Sequence, residues 1–212
     1  RPRRNPHHCL DAIGRTIQQK RVNVVVEADI RGFFDHVNHE WLLKFLQQRI
    51  GDRRVLRLIV RMLKAGVMED GLTRAGEEGT PQGSIISPLL SNIYLHYVLD
   101  IWFQRRIRRQ CRGEAYLFRY ADDFVVCFQY RADAEHFRES LGRRMEDFQL
   151  ELAEEKTLIL EFGRYARENA YRRGERPKEW DFLGVTFYCG KTRHGYFKVK
   201  RKTSRKKLRQ SV

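Results

Sequence analysis

The sequence predicts an α+β fold with a split β-α-β, ferredoxin-like core and a large helical insertion between its first two strands. Three observations predict it. Residues 22–30, Val-Asn-Val-Val-Val-Glu-Ala-Asp-Ile, are β-branched and almost continuously apolar, as a strand buried on both faces would be. Two further apolar runs, 115–120 and 124–129, flank the turn-forming Ala121-Asp122-Asp123. Residues 132–148 then read as a helix and 157–162 as a last strand, which completes the pattern.

Each remaining element follows from its own spacing. Trp41, Leu42, Phe45 and Leu46 give residues 39–50 a helical period, and Val55, Leu58, Ile59 and Met62 do the same for 53–65. Gly66, Gly71, Gly76 and Gly79 break the next stretch into a hairpin or loop region. Ser87 as N-cap and Pro88 at the first helical position open a long helix to about Gln110. Tyr94, Tyr97, Trp102 and Phe103 recur on it at helical spacing and are expected in the core. Residues 163–179 are polar and read as an exposed loop, and 182–189 with 195–200 as a hairpin around Thr192-Arg193-His194-Gly195. From Lys198 to Arg209, eight of twelve residues are Lys or Arg, which by itself reads as a solvated tail.

Composition narrows the class of partner. Hydrophobic residues make up 42% of the 212, enough for a real core and too many for a disordered chain. Against 27 Asp and Glu stand 42 Lys and Arg, a formal charge of +15 whose field attracts polyanions, above all nucleic acid. Cys9, Cys111, Cys127 and Cys189 form no C-x-x-C pair, which argues against a zinc ribbon or a dense disulfide framework. His7-His8-Cys9 lacks a partner pair and is not read as a metal site. No apolar run reaches the roughly 18–20 residues of a membrane span.

Three carboxylates sit where carboxylates are costly. Asp29 closes the most hydrophobic strand, and Asp122-Asp123 lie between two apolar ones. Asp is common in turns, so the pair alone is weak evidence. In a split β-α-β fold, however, the strand carrying Asp29 lies beside the hairpin carrying Asp122, although 93 residues separate them. A divalent cation would relieve the cost, and Mg²⁺ binds through one or two carboxylates plus waters and substrate phosphates.

At these residues the sequence resembles reverse transcriptases, and among them the enzymes encoded by group II introns. Tyr120-Ala121-Asp122-Asp123, preceded by Arg119, resembles the family's Y-A-D-D box; Asp29-Ile30-Arg31-Gly32-Phe33-Phe34-Asp35 resembles its first catalytic motif. Gly79-Thr80-Pro81-Gln82-Gly83-Ser84 with Ile85 to Asn92, then Glu155-Lys156-Thr157, then Phe182-Leu183-Gly184, resemble three more in the right order. The resemblance spans about residues 1–212 and implies a right-hand polymerase palm with helical fingers insertions. Residues 1–200 would be fingers and palm, with fingers mainly at 1–21 and 36–80, and 201–212 the start of a thumb.

The resemblance also implies roles. Asp29 and Asp122 would bind two Mg²⁺ ions (Mn²⁺ may substitute), with Asp123 and the Ile30 carbonyl as further candidates. Phe34 would sit under the sugar and exclude a 2′-hydroxyl, with Phe33 in the core. Gln82 and Gly83 would meet the incoming nucleotide, and Lys156 the triphosphate or the leaving pyrophosphate. Tyr120, Phe182, Leu183 and Gly184 would face primer and template. The implied partners are an RNA template, a DNA primer, dNTPs and intron RNA, in a bacterial cytoplasm, with no membrane; the oligomeric state stays open. The chain is expected to be an excised piece that binds RNA weakly and extends primers poorly. The rival readings are a non-catalytic RNA-binding maturase or scaffold and a CRISPR-associated or other bacterial reverse transcriptase. Retained Pro81-Gln82-Gly83 argues against the diversity-generating group.

Overall fold

A computed structural model describes residues 5–64, 67–69, 72–74 and 86–210. Helix α1 (Pro6–Gln19) comes first, capped reciprocally by Asn5 and His8, which gives the His7-His8-Cys9 stretch a structural part. Strand β1 (Val24–Ala28) follows, then β2 (Ile30–Arg31), a 3₁₀ turn (Phe33–Asp35), α2 (His39–Gln47) and α3 (Arg53–Lys64). Strands β3 (Val67–Glu69) and β4 (Leu72–Arg74) pair with each other. Helix α4 (Ser87–Leu95) runs on through two π-helical segments, His96–Ile101 and Phe103–Ile107, into α5 (Arg108–Gln110). After β5 (Ala115–Tyr120), β6 (Asp123–Phe128) and α6 (Arg131–Glu146) come β7 (Glu151–Leu152), a 3₁₀ turn (Glu154–Lys156) and β8 (Leu158–Glu161). The chain ends with α7 (Ala166–Arg172), β9 (Trp180–Phe182), β10 (Val185–Lys191), β11 (Phe197–Thr203) and α8 (Arg205–Gln210).

The central sheet has the order β5-β6-β1-β8 with antiparallel neighbours, so its four strands, numbered by chain order, run 2-3-1-4. That is the split β-α-β arrangement expected from the sequence. β1 lies in the middle, and alternate residues feed two separate cores. Val24, Val26 and Ala28 face the helical side, against Phe45, Tyr94, Leu99 and Phe137. Val25 faces the other way, joining Val125, Cys127 and Phe162 beneath α1 and the β9-β10-β11 sheet. Burial on both faces explains why this strand reads as an unbroken apolar run.

Several elements differ from expectation. The polar stretch 163–179 contains helix α7, which needs only Ala166 and Ala170 facing inward and so shows no apolar period. Of the residues whose spacing predicts α3, Val55, Leu58 and Met62 are exposed, while Ile59 is buried together with Leu63. The long helix begins one residue early, with Ile86 at the cap and Ser87 already helical and buried. The basic run is no loose tail. Its first half is β11, paired along its length with β10, and its second half is α8. The expected hairpin therefore gains a third strand, β9, too short to be seen as a pattern. None of the described helices is long and apolar enough to cross a membrane.

Tyr94 and Phe103 are buried, and Tyr97 and Trp102 pack partly buried against the same core. The Tyr94 hydroxyl donates to the Phe148 carbonyl at 2.9 Å, tying the long helix to the end of α6. Tyr94→Phe therefore leaves a buried acceptor short of a partner and is expected to cost about 1–2 kcal/mol. Tyr94→Ala adds a cavity and is expected to cost roughly 3–5 kcal/mol, both read from urea unfolding midpoints at constant slope.

Candidate active site

The end of β1 brings acidic residues to one edge of the sheet. Register pairs Ala28 with Phe124, and one step further sets Asp29 opposite Asp123. Side chains alternate along a strand, so Glu27 and Asp29 share a face, the one turned away from the helical core. Asp29 is fixed at two points. Its carbonyl accepts from the Ala153 amide at 2.9 Å, and its carboxylate accepts from the Lys156 ammonium at 2.6 Å.

Strands β5 and β6 are joined by a two-residue turn, Ala121-Asp122, with Tyr120 opposite Asp123. Asp122 therefore sits in the turn, whereas Asp123 is the first residue of β6 and not a turn residue as the sequence suggests. Ala121 adopts φ +55°, which a two-residue hairpin requires and alanine resists by about 1–2 kcal/mol. Strain of this kind persists only where surrounding contacts over-determine it.

The carboxylates feel one another. Burial raises the Asp123 carboxyl above the usual range, and the charges of Asp122 and Asp29 raise it further, against the opposing pull of Lys156. Glu27 is pushed up to about 7, first by burial and then by Asp181, Asp123 and Asp29. The Lys156 ammonium is held above its ordinary value by its hydrogen bond to Asp29 and by that residue's charge. Among the described residues no three acidic, His or Cys side chains converge closely enough to hold an ion alone. A donor set of two or three mutually repelling carboxylates, one neutralised by a lysine, still fits Mg²⁺, which takes its remaining ligands from water and substrate.

The other candidate positions fall around this edge. Ile30 is buried by its side chain and pairs with Leu152. Gly32, at φ +52°, turns the chain into the 3₁₀ segment, burying Phe33 and leaving Phe34 half-buried with its ring 5.5 Å from that of Phe33. Tyr120 is exposed. Phe182 is buried in the core, its ring tilted against that of Trp180 at 6.4 Å. Leu183 at φ +49° and Gly184 at φ +75° form the turn between β9 and β10. Positive φ at both central residues is the type I′ requirement. The charge of Asp181, just before this turn, adds to the rise of the Glu27 carboxyl. Gln82 and Gly83 lie outside the described residues.

Glu27 and Asp181 couple electrostatically to this acidic edge, and the sequence motifs do not include either of them. A signal exists for Glu27: it is the one charge in the apolar run ahead of Asp29 and stands two residues before it.

The family model for "Reverse transcriptase (RNA-dependent DNA polymerase)" matches residues 2–187. Protein YkfC of Escherichia coli is 34% identical over 189 residues, covering 75% of this chain and 50% of that protein. The group II intron-encoded protein LtrA of Lactococcus lactis is 43% identical over 96 residues, 45% of this chain and 16% of its own length. The chain thus spans half or less of these relatives. In fold it is similar to telomerase from Candida albicans, with a TM-score of 0.61 at 11% identity over 85% of this chain and 31% of that one. Telomerase from Candida tropicalis gives 0.60 at 13%, over 93% and 38%. Both place the fold in the right-hand polymerase class.

The raised Glu27 has a consequence for stability in the absence of divalent cations. Its folded-state pKa, about 7, lies above the ordinary 4.5, so the folded chain holds a proton that the unfolded chain has lost. Stability from this group is present below pH 4.5 and is lost as pH rises through 7, by roughly 2–3 kcal/mol. Glu27→Gln is expected to flatten that part of the pH–stability profile in EDTA; an unchanged profile would contradict the assignment.

Proposed function

We propose that this chain, which belongs to the reverse transcriptase (RNA-dependent DNA polymerase) family, forms the fingers and palm of an RNA-directed DNA polymerase of the group II intron type. The observation that carries the reading is the meeting of Asp29 with Asp122-Asp123 at one sheet edge, with Lys156 on Asp29. Residues 1–200 make up the fingers and palm, and 201–212 lead into a thumb.

Asp29 and Asp122 hold the Mg²⁺ ions, for which Mn²⁺ can substitute, with Asp123 and the Ile30 carbonyl alongside. When bound, a pair of such ions activates a primer 3′-hydroxyl and stabilises the leaving pyrophosphate. Lys156 neutralises Asp29 in the metal-free chain. With the carboxylate engaged elsewhere, its ammonium faces the triphosphate and donates a proton to pyrophosphate. Phe34 lies under the sugar, where a ring excludes the ribose 2′-hydroxyl. Gln82 and Gly83 meet the nucleotide and its template base. Tyr120 and the Phe182-Leu183-Gly184 turn hold the primer end.

The substrates are an RNA template, a DNA primer and dNTPs, in a bacterial cytoplasm in keeping with the Escherichia and Lactococcus relatives. A linked maturase role, binding intron RNA to help it splice, is in keeping with the similarity to a group II intron-encoded protein. The exposed cations of β11 and α8 suit that role, since Lys and Arg bind backbone phosphates.

Single-nucleotide extension of a DNA primer on an RNA template tests the reading. Extension is expected to need Mg²⁺ and to fall at least a hundredfold in Asp122→Asn, with RNA affinity unchanged. Absence of extension alongside tight, mutation-insensitive RNA binding would favour a non-catalytic maturase.

A further inference from the structure

Arg119 lies beside the catalytic turn, and its side chain is only 12% exposed. Four hydrogen bonds fix its guanidinium. Nε and Nη2 donate to the two carboxylate oxygens of Asp100, each at 2.7 Å, a bidentate pair. Nη1 donates to the Asn92 side-chain oxygen at 2.9 Å and to the Ala121 carbonyl at 2.7 Å. One planar cation therefore joins the strained residue of the Tyr120–Asp123 turn to two points on the long helix.

The helix side is built for this. Asn92 donates its amide nitrogen to the Pro88 carbonyl at 2.8 Å, which turns its oxygen toward Arg119. Asp100 lies in the first π-helical segment, and His96, one turn before it, also contacts its carboxylate at 3.2 Å. A π segment inserts extra backbone into a helix and re-aims its side chains; such segments concentrate at functional sites. Here the re-aimed residue is Asp100, and what it reaches is the back of the turn that presents Asp122.

We infer that Arg119, held by Asp100 and Asn92, is a positioning residue that locks the Ala121-Asp122 turn and thereby fixes where the Asp122 and Asp123 carboxylates point. The inference rests on the polymerase reading for its kinetic consequence, though not for its structural one. Ala121 keeps its left-handed φ because its carbonyl is gripped. Without the grip the turn has a less strained alternative, and the carboxylates lose their fixed relation to Asp29. Lysine cannot replace the clamp, because a single ammonium does not span a carboxylate, an amide oxygen and a carbonyl in one plane.

The test compares wild type with Arg119→Gln, Arg119→Lys and the milder Asp100→Asn in the full chain. Three quantities are read: hydrogen exchange of the 119–123 segment, Mn²⁺ affinity by electron paramagnetic resonance, and kcat and KM for one nucleotide addition. In Arg119→Gln, exchange is expected to quicken at least tenfold, Mn²⁺ affinity to fall about tenfold, and kcat to fall ten- to a hundredfold. KM for template should move less than threefold. Arg119→Lys should recover only a small part, and Asp100→Asn should shift all three quantities in the same direction by less. A folded Arg119→Gln or Asp100→Asn with wild-type exchange and Mn²⁺ affinity would overturn the clamp. Loss of melting temperature without those changes would overturn it equally. A wild type with no extension activity would sink the polymerase reading instead, and the exchange of 119–123 would still decide the clamp.

Discussion

The antiparallel register between β1 and β6 governs both the fold and the site. Five consecutive pairs, from Val24 opposite Phe128 to Ala28 opposite Phe124, fix which side chains of the central strand face which core. A slip of one residue would flip every side chain. Glu27 and Asp29 would then enter the helical core, and Val24, Val26 and Ala28 would leave it. Burying two carboxylates without partners costs far more than any neighbouring contact returns, so the register is strongly specified. The same register carries Asp29 to the point opposite Asp123, making acidic convergence a by-product of correct folding.

Around that axis the sheet separates two tasks. On the helical side, Phe45, Tyr94, Phe137 and their neighbours form a dense apolar layer that anchors α2, α4 and α6. The other side holds a smaller core under α1 and β9–β11, with the half-buried Glu27 on the same face of the central strand. The candidate site occupies the rim where that second core stops. There the chain tolerates strain at Ala121 and at Leu183, each in a left-handed conformation, and raised carboxyl pKa values at Glu27 and Asp123. Such departures from local preference persist where the surrounding structure over-determines them.

Legibility in the sequence followed the physics of burial. β1 could be read because both its faces are covered, and α6 because one side is apolar. Asp29 stood out as an acid at the end of such a strand, and the ordered motifs named its companions. Glu27 is hard to see because a single charge does not disturb an apolar run, although strand alternation puts it on the face of Asp29. Helix α7 was invisible because two alanines suffice to seat it. The π-helical segments leave no compositional trace, so the reach of Asp100 to Arg119 follows from backbone geometry alone. In β11 the inward Phe197 and Val199 alternate with Lys198 and Lys200, which lets 195–200 read as a strand, while the charge run masks its continuation to Thr203. What the sequence conceals is mostly what depends on contact between distant segments.

The central claim is that Asp29 and Asp122, distant in the chain, serve one metal-binding site. Mn²⁺ titration by electron paramagnetic resonance of wild type, Asp29→Asn, Asp122→Asn and the double variant tests this most directly. If the two carboxylates share the site, either single substitution should abolish most of the high-affinity binding, and the double should lose little more. Independent, additive losses from the two substitutions, or binding unchanged by either, would contradict it.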